Sequence, residues 1–209
     1  MIGKFRGVRT RVIEALRADP SLARLLTVYS STARSEFVPD PTYLANLPPT
    51  LRAGIERSAA KQSGLTGTAG TERLAVAGLA PDDLSEPLSI EKAWHGVHFL
   101  LARTTYEPTE PPGDAVLGGM PIGEDLGYGP VRIKTPEDVT QTSSALAALD
   151  LGVLRQGIQA TALTVAEIYP GGWDPDDGAL DWVLDAVSEL RDFYARCAVA
   201  GHGMLLYIT

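Results

Sequence analysis

The stretch Met204-Leu205-Leu206-Tyr207-Ile208, read together with Met1-Ile2-Gly3-Lys4-Phe5-Arg6-Gly7-Val8 at the opposite end of the sequence, decides the fold. A nearly unbroken apolar run of this length, set off from what precedes it by Gly201, is too short for a helix and reads as a strand. The opening segment, with its apolar pair and Phe5, also reads as a strand. Between the two lie mainly helical patterns and loops. Strands at both ends of such a chain pair or neighbour each other in one sheet. The expectation is therefore an α+β fold, a small sheet built on the N- and C-terminal strands and covered by several helices lying on one side of it.

Working inward from the last strand, a long amphipathic helix runs from Gly178 or Ala179 to Val199. It carries Leu180, Val183, Leu184, Val187, Leu190 and Tyr194 on one face, and Gly201 stops it. Ala160 to Ile168 is a shorter apolar helix ended by Tyr169-Pro170-Gly171-Gly172. Thr135-Pro136-Glu137-Asp138 combines a capping threonine, a proline at the first helical position and acids in the first turn, so a helix starts there and extends to about Leu149. Just ahead of it, the alternation in Val131-Arg132-Ile133-Lys134 predicts a short strand with one wet face. Ser89 to Arg103 reads as a helix capped by Ser89, with Ile90, Trp94, Val97 and Leu101 along its apolar stripe. Near the start, Thr10 caps a helix that presents Val12, Ile13 and Leu16. Asp19-Pro20 interrupts it before Ser21 caps a turn through Leu22, Leu25 and Leu26.

The middle is less regular. Four prolines in the twelve residues from Val38 to Pro49 mark a loop, and Thr50 to Gln62 has helical composition. Ser63 to Gly70 reads as a flexible break before a short helix near Glu72 to Ala77. The organisation expected is one domain over residues 1–209 with an elaboration or insertion at about 27–80.

Composition narrows the function classes. With 44% hydrophobic and 21% charged residues in 209, the chain is globular and large enough to bury one core. Its formal charge of −8, from 26 acidic and 18 basic residues, argues against nucleic acid as a partner. Arg6, Arg9, Arg11 and Arg17 cluster, but without the interleaved aromatic platforms that stack bases, and read as a solvated face. Cys197 is the only cysteine, so neither an intramolecular disulfide nor a multi-thiolate zinc site can form. With no export signal and no long apolar span, the expectation is a soluble protein in the cytoplasm that does not engage a membrane.

Several motifs recur together in a known family. Lys92-Ala93-Trp94-His95-Gly96-Val97-His98-Phe99 is followed in order by Ile122-Gly123-Glu124-Asp125-Leu126-Gly127-Tyr128-Gly129-Pro130, by Glu167-Ile168-Tyr169-Pro170-Gly171, and by the apolar last strand. Met1-Ile2-Gly3 with Phe5 resembles the family's opening. On these motifs, which span most of the chain outside Leu26 to about Ala80, the sequence resembles the YfbM-like family of uncharacterised bacterial proteins. The resemblance implies an α+β fold and carries no activity, cofactor or site residue with it.

Two groups of residues have the composition of a site. Glu91, His95 and His98 stand at i, i+4 and i+7, on one face of the expected helix, a spacing suited to a divalent metal or to a carboxylate that orients a histidine base. The structural alternative is a solvated Glu91–His95 pair with His98 bonded to a carbonyl in the core. Trp94 lies on the apolar stripe, where core packing is its simplest role.

The second group is the loop Gly123 to Pro130, in which Glu124, Asp125 and Tyr128 stand among glycines that let backbone approach a ligand. An acid there can equally cap a turn. Glu167 can add a carboxylate or simply end a helix.

Apparent signatures elsewhere fall short. Gly64 to Gly70 lacks the Lys-Ser or Lys-Thr of a phosphate loop. Asp174, Asp176 and Asp177 lack the spacing of a calcium loop and read as helix-starting acids. Cys197 lies within the last helix and reads as an inert thiol.

Two functional readings follow. The first is a binding or interaction domain for a small molecule or protein partner, with Trp94, His98, Glu124, Asp125, Tyr128 and Glu167 as candidate contacts and with no cofactor. The second is a small hydrolase-like enzyme in which His98 acts with Glu91 or a loop carboxylate. A homodimer and a monomer are equally compatible with the sequence.

Overall fold

Gly3–Val8 (β1) and Gly203–Ile208 (β5) pair antiparallel along their whole lengths, from Gly3 opposite Ile208 to Val8 opposite Gly203. This is the central pairing in a computed structural model that describes residues 1–28, 45–53, 67–173 and 178–209. Leu88–Ser89 (β2), Met120–Ile122 (β3) and Val131–Lys134 (β4) complete a five-stranded antiparallel sheet in the order β2-β1-β5-β4-β3. The α+β fold built on the terminal strands is therefore observed. Both edges are blunted by strands of two and three residues, and β3 carries Pro121, which cannot donate to a further strand.

The sheet is covered on both faces, which corrects the expectation of helices on one side. Met204, Leu206 and Ile208 of β5 enter one core with Phe5. The helices that close it are Trp94–Ala102 (α4), Pro136–Ala147 (α5), Leu151–Gln156 (α6), Ala160–Val165 (α7) and Ala179–Val199 (α8). Leu205 and Tyr207 enter a second core with Val131 and Ile133, under Thr10–Ala18 (α1), Leu22–Val28 (α2) and Gly67–Val76 (α3). Successive strand residues point to opposite faces, so the wholly apolar β5, buried at every position, requires cover on both sides.

The same double cover removes the wet face expected for β4. Lys134 is buried, and its ammonium donates to Asp114 Oδ2 and to Thr142 Oγ1, each at 2.5 Å. The Tyr194 ring lies 5.5 Å below it, a cation–π contact, while the Tyr194 hydroxyl donates to the carbonyl of Ala115. Two glycines of β1 admit the helices closely. A Cβ at Gly3 would come within 2.5 Å of Trp94 Cβ, and one at Gly7 within 2.7 Å of Cys197 Sγ.

Thr135 caps its helix as expected, whereas Thr10 is itself the first residue of α1, after Arg9 and without a side-chain cap, and Ser89 lies in β2. Thr135 and Asp138 form a reciprocal capping box at the start of α5, and α8 spans the predicted Ala179–Val199. Cys197 is buried, and burial pushes its thiol up to about 11, which agrees with an inert group. The break expected at Ser63 to Gly70 is corrected in part, because Gly67–Val76 is helical. The calcium-like Asp174, Asp176 and Asp177, and much of the proline loop and of the helix expected from Thr50, lie outside the described residues. Among the described residues, no helix is long and apolar enough to cross a membrane.

Candidate functional site

The helix expected from Ser89 begins instead at Trp94. Leu88–Ser89 is paired to β1, and a 3-10 turn at Glu91–Ala93 links it to α4. Glu91 has a positive φ of 48°, and its carboxylate accepts a hydrogen bond from the Ser89 hydroxyl at the surface. The helical register that would set Glu91 above His95 and His98 is thus broken, and the proposed shared face does not form. Among the described residues no group of three or more His, Cys, Asp and Glu side chains is arranged to hold a metal.

α4 is also buried on nearly every side rather than along one stripe. Trp94, His95, Gly96, Val97, His98, Leu100 and Ala102 are all buried, the pattern of a helix at the centre of a domain. Gly96 makes this possible, since a Cβ there would meet Val183 of α8 at 2.9 Å and Trp173 at 3.1 Å.

His95 is fully enclosed and satisfied. Its Nδ1 accepts from the Tyr169 backbone N–H at 2.9 Å, and its Nε2 lies 2.8 Å from the Thr105 carbonyl, so the proton of the neutral ring sits on Nε2. The ring stacks between Trp94 and Tyr106, with centroids 4.7 and 4.8 Å away. Burial lowers its pKa, partly opposed by the bond to Thr105.

His98 is 0% exposed, and neither ring nitrogen makes a hydrogen bond of normal geometry. Burial first, and then the neighbouring His95, bring its pKa down to about 4. The carboxylates that were to act with it stand elsewhere. Glu91 and Glu167 are exposed, Glu167 with a positive φ of 53° just after α7, and Glu124 is exposed on the far side of the loop.

Asp125 has the turn-building role of an acid in a glycine-rich loop. Its Oδ1 accepts from the backbone N–H groups of Gly127 and Gly129 at 2.6 and 2.9 Å, while Gly127 and Gly129 themselves adopt positive φ. The loop is thereby split between two hollows. Glu124 and Asp125 border an open one of about 600 Å³ beside Ser21 and Arg24. Tyr128, Gly129 and Pro130 are turned toward another, at the end of the sheet.

This second hollow, of about 310 Å³, joins Trp94 and Tyr128 from the predicted residues to Tyr106 and Arg132. Val116, Leu117, Leu206 and Ile208 supply its apolar walls. Arg132 reaches it because it lies opposite Leu206 in the β4–β5 register and so projects from the same face of the sheet. The Trp94 indole N–H is buried without a hydrogen-bond partner. Arg132 makes no ion pair or side-chain hydrogen bond among the described residues. His98, Glu124, Asp125 and Glu167 do not line this pocket.

Sequence reading missed Arg132 and Tyr106. Arg132 is the polar member of an alternating strand, and alternation by itself assigns that face to solvent. Tyr106 lies in a proline-rich loop, where no periodicity marks its direction.

Similarity to known proteins extends over the whole chain. A family model described as a domain of unknown function (DUF1877) matches residues 1–207. The crystal structure of YfbM, a protein of unknown function from Escherichia coli, is similar over 100% of both chains with a TM-score of 0.60 and 20% identity, a likeness that shows the fold. No curated protein matches the chain.

Proposed function

The chain belongs to the DUF1877 family of domains of unknown function, and from the pocket between Trp94 and Arg132 we propose that it is a binding domain for a small organic molecule. The observation that carries this reading is the buried indole N–H of Trp94, left without a partner beside a hollow of about 310 Å³. Buried donors are nearly always paired, and an unpaired one beside a cavity is a natural place for a ligand acceptor. Size agrees, because small-molecule sites begin at roughly 300 Å³ and combine apolar walls with a few polar groups. The loop ordered by Asp125 supplies the aromatic rim through Tyr128.

A reducing bacterial cytoplasm suits this reading, since the lone thiol of Cys197 is free and buried. The test is thermal denaturation of the protein against a library of small organic acids, amides, alcohols and heterocycles. A ligand at about ten times its Kd adds about 1.4 kcal/mol, or a rise in Tm of roughly 3–5 °C for a chain of this size. Hits are expected with the wild type and are expected to vanish in Leu117→Trp, which fills the hollow. A library without hits, or hits that persist in Leu117→Trp, would overturn the reading.

A further inference from the structure

We propose, resting on the small-molecule reading above, that the pocket takes a carboxylate with a flat or branched apolar body, its carboxylate held by the Arg132 guanidinium and the Trp94 indole N–H. The polar inventory of the site points to an acceptor that carries charge. Indole is a donor only, and guanidinium is a donor only and always cationic. No aspartate or glutamate is among the described residues that line the hollow, so no carboxylate there pairs with a cationic ligand.

Arg132 is the one charged side chain among those lining residues, and no acid within the described residues pairs with it. It leaves the sheet beside Leu206, on the face that packs against α4 and α8, and is half-buried. A guanidinium drawn partly out of water without a counter-ion is costly, and a ligand anion offsets that cost. Its fork of N–H donors matches the two oxygens of a carboxylate.

Two lining residues carry positive charge, Arg132 and Met1, whose α-ammonium donates to the Tyr169 hydroxyl at 3.1 Å. His95 and His98, behind the pocket wall, are neutral at pH 7, because burial lowers both and His98 lies at about 4. The body of the ligand is set by the remaining walls, where Val116, Leu117, Leu206 and Ile208 offer hydrocarbon, and by the exposed rings of Tyr106 and Tyr128, which offer stacking faces at the rim.

The experiment pairs each acid with its own primary amide, so that shape is constant and only charge changes. Benzoate, phenylacetate, 3-phenylpropionate and isovalerate, with the four corresponding amides, are titrated calorimetrically into wild type and into Arg132→Gln. Binding is also followed at the three indole N–H resonances of the protein, that of Trp94 being assigned from Trp94→Phe.

At least one acid is expected to bind at least tenfold tighter than its amide, to move the Trp94 indole resonance, and to lose its preference in Arg132→Gln. Amides that bind as tightly as their acids, or a preference that survives Arg132→Gln, overturn the carboxylate assignment while leaving a small-molecule site in place. Absence of binding by both acids and amides, together with an empty library screen, overturns the assignment and the reading beneath it.

Discussion

The backbone N–H of Tyr169 donates to Nδ1 of His95 over 2.9 Å, tying the turn after α7 to the first turn of the central helix. The same ring holds the Thr105 carbonyl on its other nitrogen, and Tyr106 stacks on its face. One neutral imidazole thus fixes two loops, one of which supplies an edge of the pocket. His95→Leu would leave the half-buried Thr105 carbonyl and Tyr169 N–H without their His95 partner, at a cost of about 1–3 kcal/mol. Urea denaturation measures this, and faster amide exchange in residues 104–107 should accompany it.

Acid should weaken the fold through the same helix. Both His95 and His98 have folded pKa values below the ordinary 6.5, His98 at about 4, with burial the leading cause. The unfolded chain binds protons that the folded chain excludes, so this stability is full above about pH 6.5 and is lost as pH falls toward 4. For His98 alone the loss is about 2 kcal/mol at pH 5. Denaturation at pH 7.5 and pH 5 should show the difference, and His98→Leu should reduce it. An unchanged difference in that variant would remove His98 from the account.

Lys134 and Asp114 form a half-sealed ion pair whose two halves depend on each other. Removing only the acid, in Asp114→Ala, strands a buried ammonium with Thr142 as its remaining hydrogen-bond partner, and should cost roughly 3–5 kcal/mol. Lys134→Met combined with Asp114→Ala should cost less than Asp114→Ala by itself. Stabilities from guanidinium denaturation of the two single variants and the double variant give the coupling directly.

Gly7 is small because Cys197 occupies the space where a side chain would stand. Gly7→Ala sets a methyl 2.7 Å from Cys197 Sγ and should destabilise by about 1–3 kcal/mol. Cys197→Ala, introduced into the same chain, should restore most of that loss by vacating the space. A Gly7→Ala variant as stable as wild type would show that α8 moves freely away from β1.

Strands and caps were readable from the chain because they depend on residues close together in sequence. The apolar run Met204 to Ile208 is a strand in any context that buries it, and Thr135-Pro136-Glu137-Asp138 closes its capping box within four residues. Even the second layer of helices was implicit in β5, since a strand with no polar alternation has no face to give to water.

Tertiary structure alone decided which charges are buried and which residues share a pocket. Arg132 and Lys134 occupy equivalent places in an alternating strand, yet Lys134 meets Asp114 and Thr142 while Arg132 meets the hollow beside Trp94. Glu91, His95 and His98 have helical spacing, but pairing of Leu88–Ser89 with β1 broke the register before Trp94. These outcomes rest on contacts between segments distant in sequence, and their energies depend on burial and partner geometry, which no local pattern specifies.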